Sequence, residues 1–207
     1  MRGLPPLPLD STCTLVWQIV EMKKPSFRLR LGHCTIPARD LDGLVSFYTD
    51  VLGFYVTNRG EPIPGMGEMA FISQTPTEHH QIVLVHSPDT PARNFMFADH
   101  LAFHVDSLDD LRELMDRLTA AGNTSMAPIS HGNAWSVYFT DPEGNGLECF
   151  VDTPFHVAQP HGDPLNLSMT NAEIEADTAA RLADKAEFQP FDKWRETMAA
   201  RVAAGGE

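Results

Sequence analysis

The stretch LGHCTIPARDLDGLVSFYTDVLGF, residues 31–54, decides the fold because the chain writes it a second time, as DHLAFHVDSLDDLRELMDRLTAAG over residues 99–122. A shift of 67 residues carries His33 onto His100, Leu41 onto Leu108, Asp42 onto Asp109 and Leu44 onto Leu111. Self-similarity at a fixed offset marks a duplicated structural unit. In each copy a short apolar strand bearing the histidine runs into a Leu-Asp turn. An amphipathic helix follows, over 41–52 in the first copy and 108–121 in the second. Gly53 or Gly122 then stands where a helix closes in the left-handed conformation.

Strand patterns follow in both halves, at 70–73 and 81–86 and again at 136–140 and 146–151. Strand, helix and strands, twice over, predict an α+β class. Paired βαβββ modules, about 29–88 and 96–153, would form a curved mixed sheet around a metal cavity. Before them, residues 1–28 are proline-rich and read as an irregular arm, with Met22 as an alternative start. After them, residues 154–207 form a C-terminal helical extension. It opens on an irregular Pro/His stretch and continues in two amphipathic segments, 171–185 and 191–203, with Thr170 or Asn171 as the first cap.

Composition excludes some functions. With 15 basic against 28 acidic residues and a net charge of −13, the surface field repels phosphate, which argues against a nucleic-acid partner. No apolar run approaches the roughly 20 residues that cross a bilayer, and the N-terminus lacks a cleavage pattern, so no membrane partner and a cytoplasmic location are expected. Three cysteines, Cys13, Cys34 and Cys149, read as free thiols in a reducing compartment.

The repeat places His33 and His100 equivalently on the first strand of each module. Glu148 lies in GLECFV, on the last strand of the second module. A carboxylate in an apolar strand is costly to bury unless it is paired or metal-bound. Two imidazoles and one carboxylate facing one cavity make the facial set that leaves three positions open and suits non-haem Fe(II). A strand histidine taken alone is more often a hydrogen-bonded structural residue; the case rests on the three together.

At these residues the chain resembles the vicinal-oxygen-chelate superfamily over about residues 30–153, through the two repeat segments and VYFTDPEGNGLECFVD (137–152). EHHQIVL (78–84) and SHGNAWSVYF (130–139) resemble more narrowly the type I extradiol ring-cleaving dioxygenases of catechols and dihydroxybiphenyls. The resemblance implies Fe(II), with Mn(II) or another divalent metal as the alternative, held by His33, His100 and Glu148. It implies His80 as acid/base at the oxygen pocket, with His79 and Asn133 as substrate-binding residues. His131 would hydrogen-bond a substrate hydroxyl beside Asn133, and Tyr138, ten residues before Glu148, would donate to an oxygen that enters the product. The implied partners are a small aromatic diol and O2 in aromatic hydrocarbon catabolism, in a homodimer or larger homo-oligomer. The short His131–Tyr138 interval and the tail after Asp152 depart from the longer enzymes.

Blander readings stand beside these. The His79-His80 pair is equally a solvated turn, Tyr138 packs well in any strand, and His131-Gly132-Asn133 is ordinary turn chemistry. Asp141–Asn145, DPEGN, reads as a turn that places Glu148. His86, His104, His156 and His161 read as surface or structural residues, the last two within reach of the cavity mouth. Gly65-Met66-Gly67 fails as a dinucleotide motif because no strand-to-helix turn surrounds it. The competing functions are a glyoxalase-type isomerase or lyase and a non-enzymatic resistance protein. The isomerase should carry a fourth, carboxylate ligand on the first module's last strand, where the 67-residue shift lands on Gln81. A thiol transferase would need cation- and phosphate-binding residues that the sequence does not display.

Overall fold

The computed structural model describes residues 30–65, 67–92 and 99–203; the proposed arm, 1–28, lies outside them. The first module runs β1 (Cys34–Ala38), α1 (Leu41–Ser46), β2 (Tyr55–Gly60), β3 (Met69–Ser73) and β4 (Ile82–His86). The second runs β5 (His100–His104), α2 (Leu108–Ala120), β6 (Ala127–Ser130), β7 (Ala134–Thr140) and β8 (Gly146–Asp152). Each module is a βαβββ unit, as the duplication predicts. The extension contributes β9 (Phe155–His156), β10 (Asp163–Pro164), α3 (Asn171–Leu182), β11 (Gln189–Pro190) and α4 (Phe191–Ala203).

Local chemistry explains the helices. Ser107 caps α2 by accepting from the Asp110 amide, acidic Asp109 and Asp110 face the helix N-terminus, and Arg117 sits in the last turn. Its apolar stripe, Leu108, Leu111, Leu114 and Leu118, is buried. The first-module helix differs from the single helix expected over 41–52. It passes at Phe47–Val51 into a π-helical turn, with the Leu52 amide reaching back to the Phe47 carbonyl at 3.2 Å. Phe47 and Tyr48 are buried there against the core. α3 opens with a full capping box between Thr170 and Glu173.

The modules form two sheets, of order β1-β4-β3-β2 and β10-β6-β7-β8-β5. In both, the first strand of the module lies parallel to the last, so β1 pairs with β4 and β5 with β8. β2 gave no sequence signal because its YVTNRG run is exposed throughout and lacks apolar alternation. β6 was hidden by Pro128, which sits in a strand between β7 and the short β10.

The DPEGN turn is built on Asp141. Its Oδ1 accepts from the amides of Glu143 and Asn145, both at 2.9 Å, and its Oδ2 from the Asn145 side chain at 2.7 Å. The turn also ties the modules together. Glu143 accepts from the Arg39 amide (3.0 Å), the Asp40 amide (2.8 Å) and the Arg39 guanidinium (2.5 Å). Burial pushes the Glu143 carboxyl up, but these donors outweigh it and hold it below its ordinary 4.5. A depressed carboxylate stabilises the fold above the unfolded value and loses that contribution as pH falls. Glu143→Gln should therefore cost about 1–3 kcal/mol in urea unfolding at neutral pH. The gap should shrink steadily below pH 4.5. A gap independent of pH would assign the contact no electrostatic role.

Candidate functional site

Parallel pairing of β5 with β8 sets His100 opposite Gly146 and Ala102 opposite Glu148. Because strand side chains alternate, His100 and Glu148 share a face two residues apart along the ladder. His100 Nε2 lies 3.2 Å from Glu148 Oε2. The carboxylate is nearly buried, its side chain 10% exposed. Across the antiparallel β7–β8 ladder Tyr138 stands directly opposite Glu148, so its phenol and the carboxylate are neighbours on one face. Burial first, then the bond to Glu148 and its charge, hold the Tyr138 phenol well above its ordinary 10.0.

His131 extends this chain of contacts. Its Nε2 is 2.9 Å from the Tyr138 hydroxyl, and its Nδ1 is 2.8 Å from the His161 carbonyl. Asn133 Oδ1 accepts from Gln159 Nε2 at 3.1 Å, which ties it to the extension.

A second histidine group forms on the first module. Asn58 Oδ1, which only accepts, is 2.8 Å from His79 Nε2, so that nitrogen carries a proton. His79 Nδ1 is then an acceptor, 2.9 Å from His80 Nδ1, which must donate. The basic nitrogen of His80 is thereby fixed as Nε2. Burial first, then the neighbouring His33 and His79, lower the His80 pKa below 6.5 and favour the neutral base. Asn58 could not be found from sequence, since it acts from a fully exposed strand 21 residues away.

His33 lies one residue before β1 and is exposed, its ring 4.6 Å from that of His80. Among the described residues no three His, Cys, Asp or Glu side chains are grouped so as to hold a metal ion. The structure thus brings His100 and Glu148 together and does not group His33 with them. His33 lines a cavity of about 380 Å³ between the sheets, and His100 lines another of about 260 Å³ beside Cys34–Pro37. The paired donors themselves fit a shared ion. Nitrogen and oxygen ligands at about 2.0–2.2 Å and right angles stand roughly 3 Å apart.

Of the remaining histidines, His86 is exposed and His104 faces Asp152 Oδ1 at 3.6 Å. His156 is buried and stacks on Trp194 at 5.0 Å. His161 reaches the site through its backbone.

The strand register also relocates the position at which a fourth ligand would sit. Thr35 pairs with Val83 as Ala102 pairs with Glu148, so the counterpart of Glu148 is Val83, two residues beyond Gln81. Valine cannot ligate. β4, IVLVH, contains no carboxylate at all.

Comparison with known proteins accords with this fold. The family model described as the Glyoxalase/Bleomycin resistance protein/Dioxygenase superfamily matches residues 30–149. Biphenyl-2,3-diol 1,2-dioxygenase 3 of Rhodococcus globerulus is 31% identical over 129 residues, 59% of this chain and 63% of the relative. The chain thus spans less than two thirds of that relative's length. Lactoylglutathione lyase of Neisseria meningitidis is 27% identical over 125 residues, covering 58% of this chain and 88% of the lyase. A solved glyoxylase/bleomycin resistance protein/dioxygenase domain from Frankia sp. EAN1pec superposes with a TM-score of 0.52 at 26% identity, over 61% of this chain and 94% of that one.

Glu148→Gln removes the charge that opposes phenolate formation, so the Tyr138 pKa should fall toward 10.0. Alkaline difference absorbance of the three tyrosines, Tyr48, Tyr55 and Tyr138, reads this directly. An unchanged titration would separate Tyr138 from Glu148.

Proposed function

Because the chain belongs to the glyoxalase/bleomycin resistance protein/dioxygenase superfamily, we propose that it is an Fe(II)-dependent extradiol dioxygenase that opens the ring of a small catechol-type diol with O2. The observation that carries this reading is the chain of contacts His131–Tyr138–Glu148–His100, with a neutral histidine base, His80, beside His33. His33, His100 and Glu148 would hold the iron, with His33 completing the pair that His100 and Glu148 already form. A divalent iron there supplies Lewis acidity and a path for electrons between diol and oxygen.

The protein's own groups have distinct tasks. His80 Nε2, lone pair free, takes a proton from a diol hydroxyl and returns it as acid at ring opening. Tyr138 orients the diol through its hydroxyl, and His131, both of whose ring nitrogens are engaged, holds that hydroxyl in place. Phe71, whose ring is 5.2 Å from that of His80, supplies an apolar wall that limits water around the base. The absence of a carboxylate at Val83 and along β4 argues against the isomerase.

Oxygen uptake by the anaerobically iron-loaded full chain, read with a panel of catechols, tests the proposal. Uptake should match diol consumption mole for mole and give a yellow ring-opened product. His80→Ala should lower kcat about 10²–10⁴-fold. Because His80 acts as a neutral base with a lowered pKa, the acid limb of the wild-type kcat/KM profile should fall below pH 6.5. Full iron loading without uptake, alongside isomerisation of a hemithioacetal, would transfer the assignment to the lyase class.

A further inference from the structure

The extension after residue 153 lies outside the matched family region, yet it touches the candidate site at His131. A carbonyl oxygen accepts and never donates, so the 2.8 Å contact from His161 O puts a proton on His131 Nδ1. A neutral imidazole then has its only lone pair at Nε2, 2.9 Å from the Tyr138 hydroxyl. Among the described residues Tyr138, with its one proton, faces His131 Nε2 and, across the ladder, the Glu148 carboxylate. The opposite tautomer would reverse the order. Its Nε2–H would donate to the phenol oxygen and direct the phenol proton to Glu148 alone.

The carbonyl is held in place by a compact set of contacts. The Gln159 side chain donates to the His131 carbonyl at 2.8 Å and to Asn133 Oδ1 at 3.1 Å, while its Oε1 accepts from the His161 amide at 3.0 Å. His161 Nε2 is 2.9 Å from Asp163 Oδ2, and β10 pairs with β6 just before His131. Gly132 allows the close approach. It has φ 78°, and a Cβ there would stand 2.5 Å from Val157 and 3.2 Å from Leu182, both buried.

We propose that the segment 157–164 is a positioning element, in which Gln159 and the His161 carbonyl lock His131 in its Nδ1–H tautomer and so set the direction of the hydrogen bond from Tyr138. The catalytic consequence rests on the dioxygenase reading; the tautomer does not.

Nitrogen-15 NMR of the histidine side chains in the full chain, treated with chelator and without substrate, reads the tautomer from one- and two-bond correlations, with His131→Asn assigning the signals. Wild type should show His131 as a single Nδ1–H form. Gln159→Ala and Asp163→Ala, each outside the apolar core, should admit the Nε2–H form, whereas Asp163→Asn, which keeps an acceptor for His161, should not. In active protein the first two should lower kcat about 10–100-fold, as loss of an outer-sphere partner does, with KM little changed. A wild-type Nε2–H signal, or an unaltered tautomer in both alanine variants, overturns the proposal. Absence of dioxygenase turnover leaves the NMR result standing, and turnover with the wrong tautomer sinks only this inference.

Discussion

A carboxylate sunk into the middle of a β-strand is the constraint around which the second module is organised. Glu148 must find partners or forfeit several kcal/mol of hydration. It finds His100 along the parallel β5–β8 ladder and Tyr138 across the antiparallel β7–β8 ladder. Both partners are set by register rather than by flexible loops, so a one-residue slip would turn them to the other face. The Asp141-centred turn fixes that register at one end, and Glu143 in the same turn grips Arg39 and Asp40 of the first module.

The two modules repeat each other in topology but not in chemistry. From Thr35 to Val83 is 48 residues, whereas from Ala102 to Glu148 is 46. The first module therefore places an apolar side chain where the second places its carboxylate. What the first module adds is the histidine group on β2 and the turn before β4, where Asn58 orders His79 and His79 orders His80. On the proposed reading the second module would give His100 and Glu148, and the first His33 and the base His80. That division agrees better with ring cleavage than with an isomerase using carboxylates from both halves.

The duplication was legible because helix and strand periods were written into apolar positions such as Leu108, Leu111 and Leu118, all buried as their spacing demands. Glu148 stood out for the opposite reason, as a charge in an apolar run. Sequence could not reveal β2, which is exposed throughout and carries no apolar alternation. It could not reveal that the Asn133 side chain meets Gln159 of the extension, or that the His161 carbonyl meets His131, because backbone atoms leave no residue signature. His33 is informative as well. The offset put it on a strand, but it falls one residue outside β1, next to Gly32 and the 85% exposed Leu31, where ladder pairing no longer dictates its direction. Its ring accordingly rests near His80 rather than with the His100–Glu148 pair.

Whether three side chains act as one ligand set is the claim on which the chemistry depends. An anaerobic Fe(II) binding isotherm on the wild-type chain and on His33→Ala measures it most directly. Wild type should bind one iron per chain, and His33→Ala should lose affinity by at least the 10–100-fold seen when even an outer partner of a metal site is removed. Identical isotherms for the two proteins would contradict it.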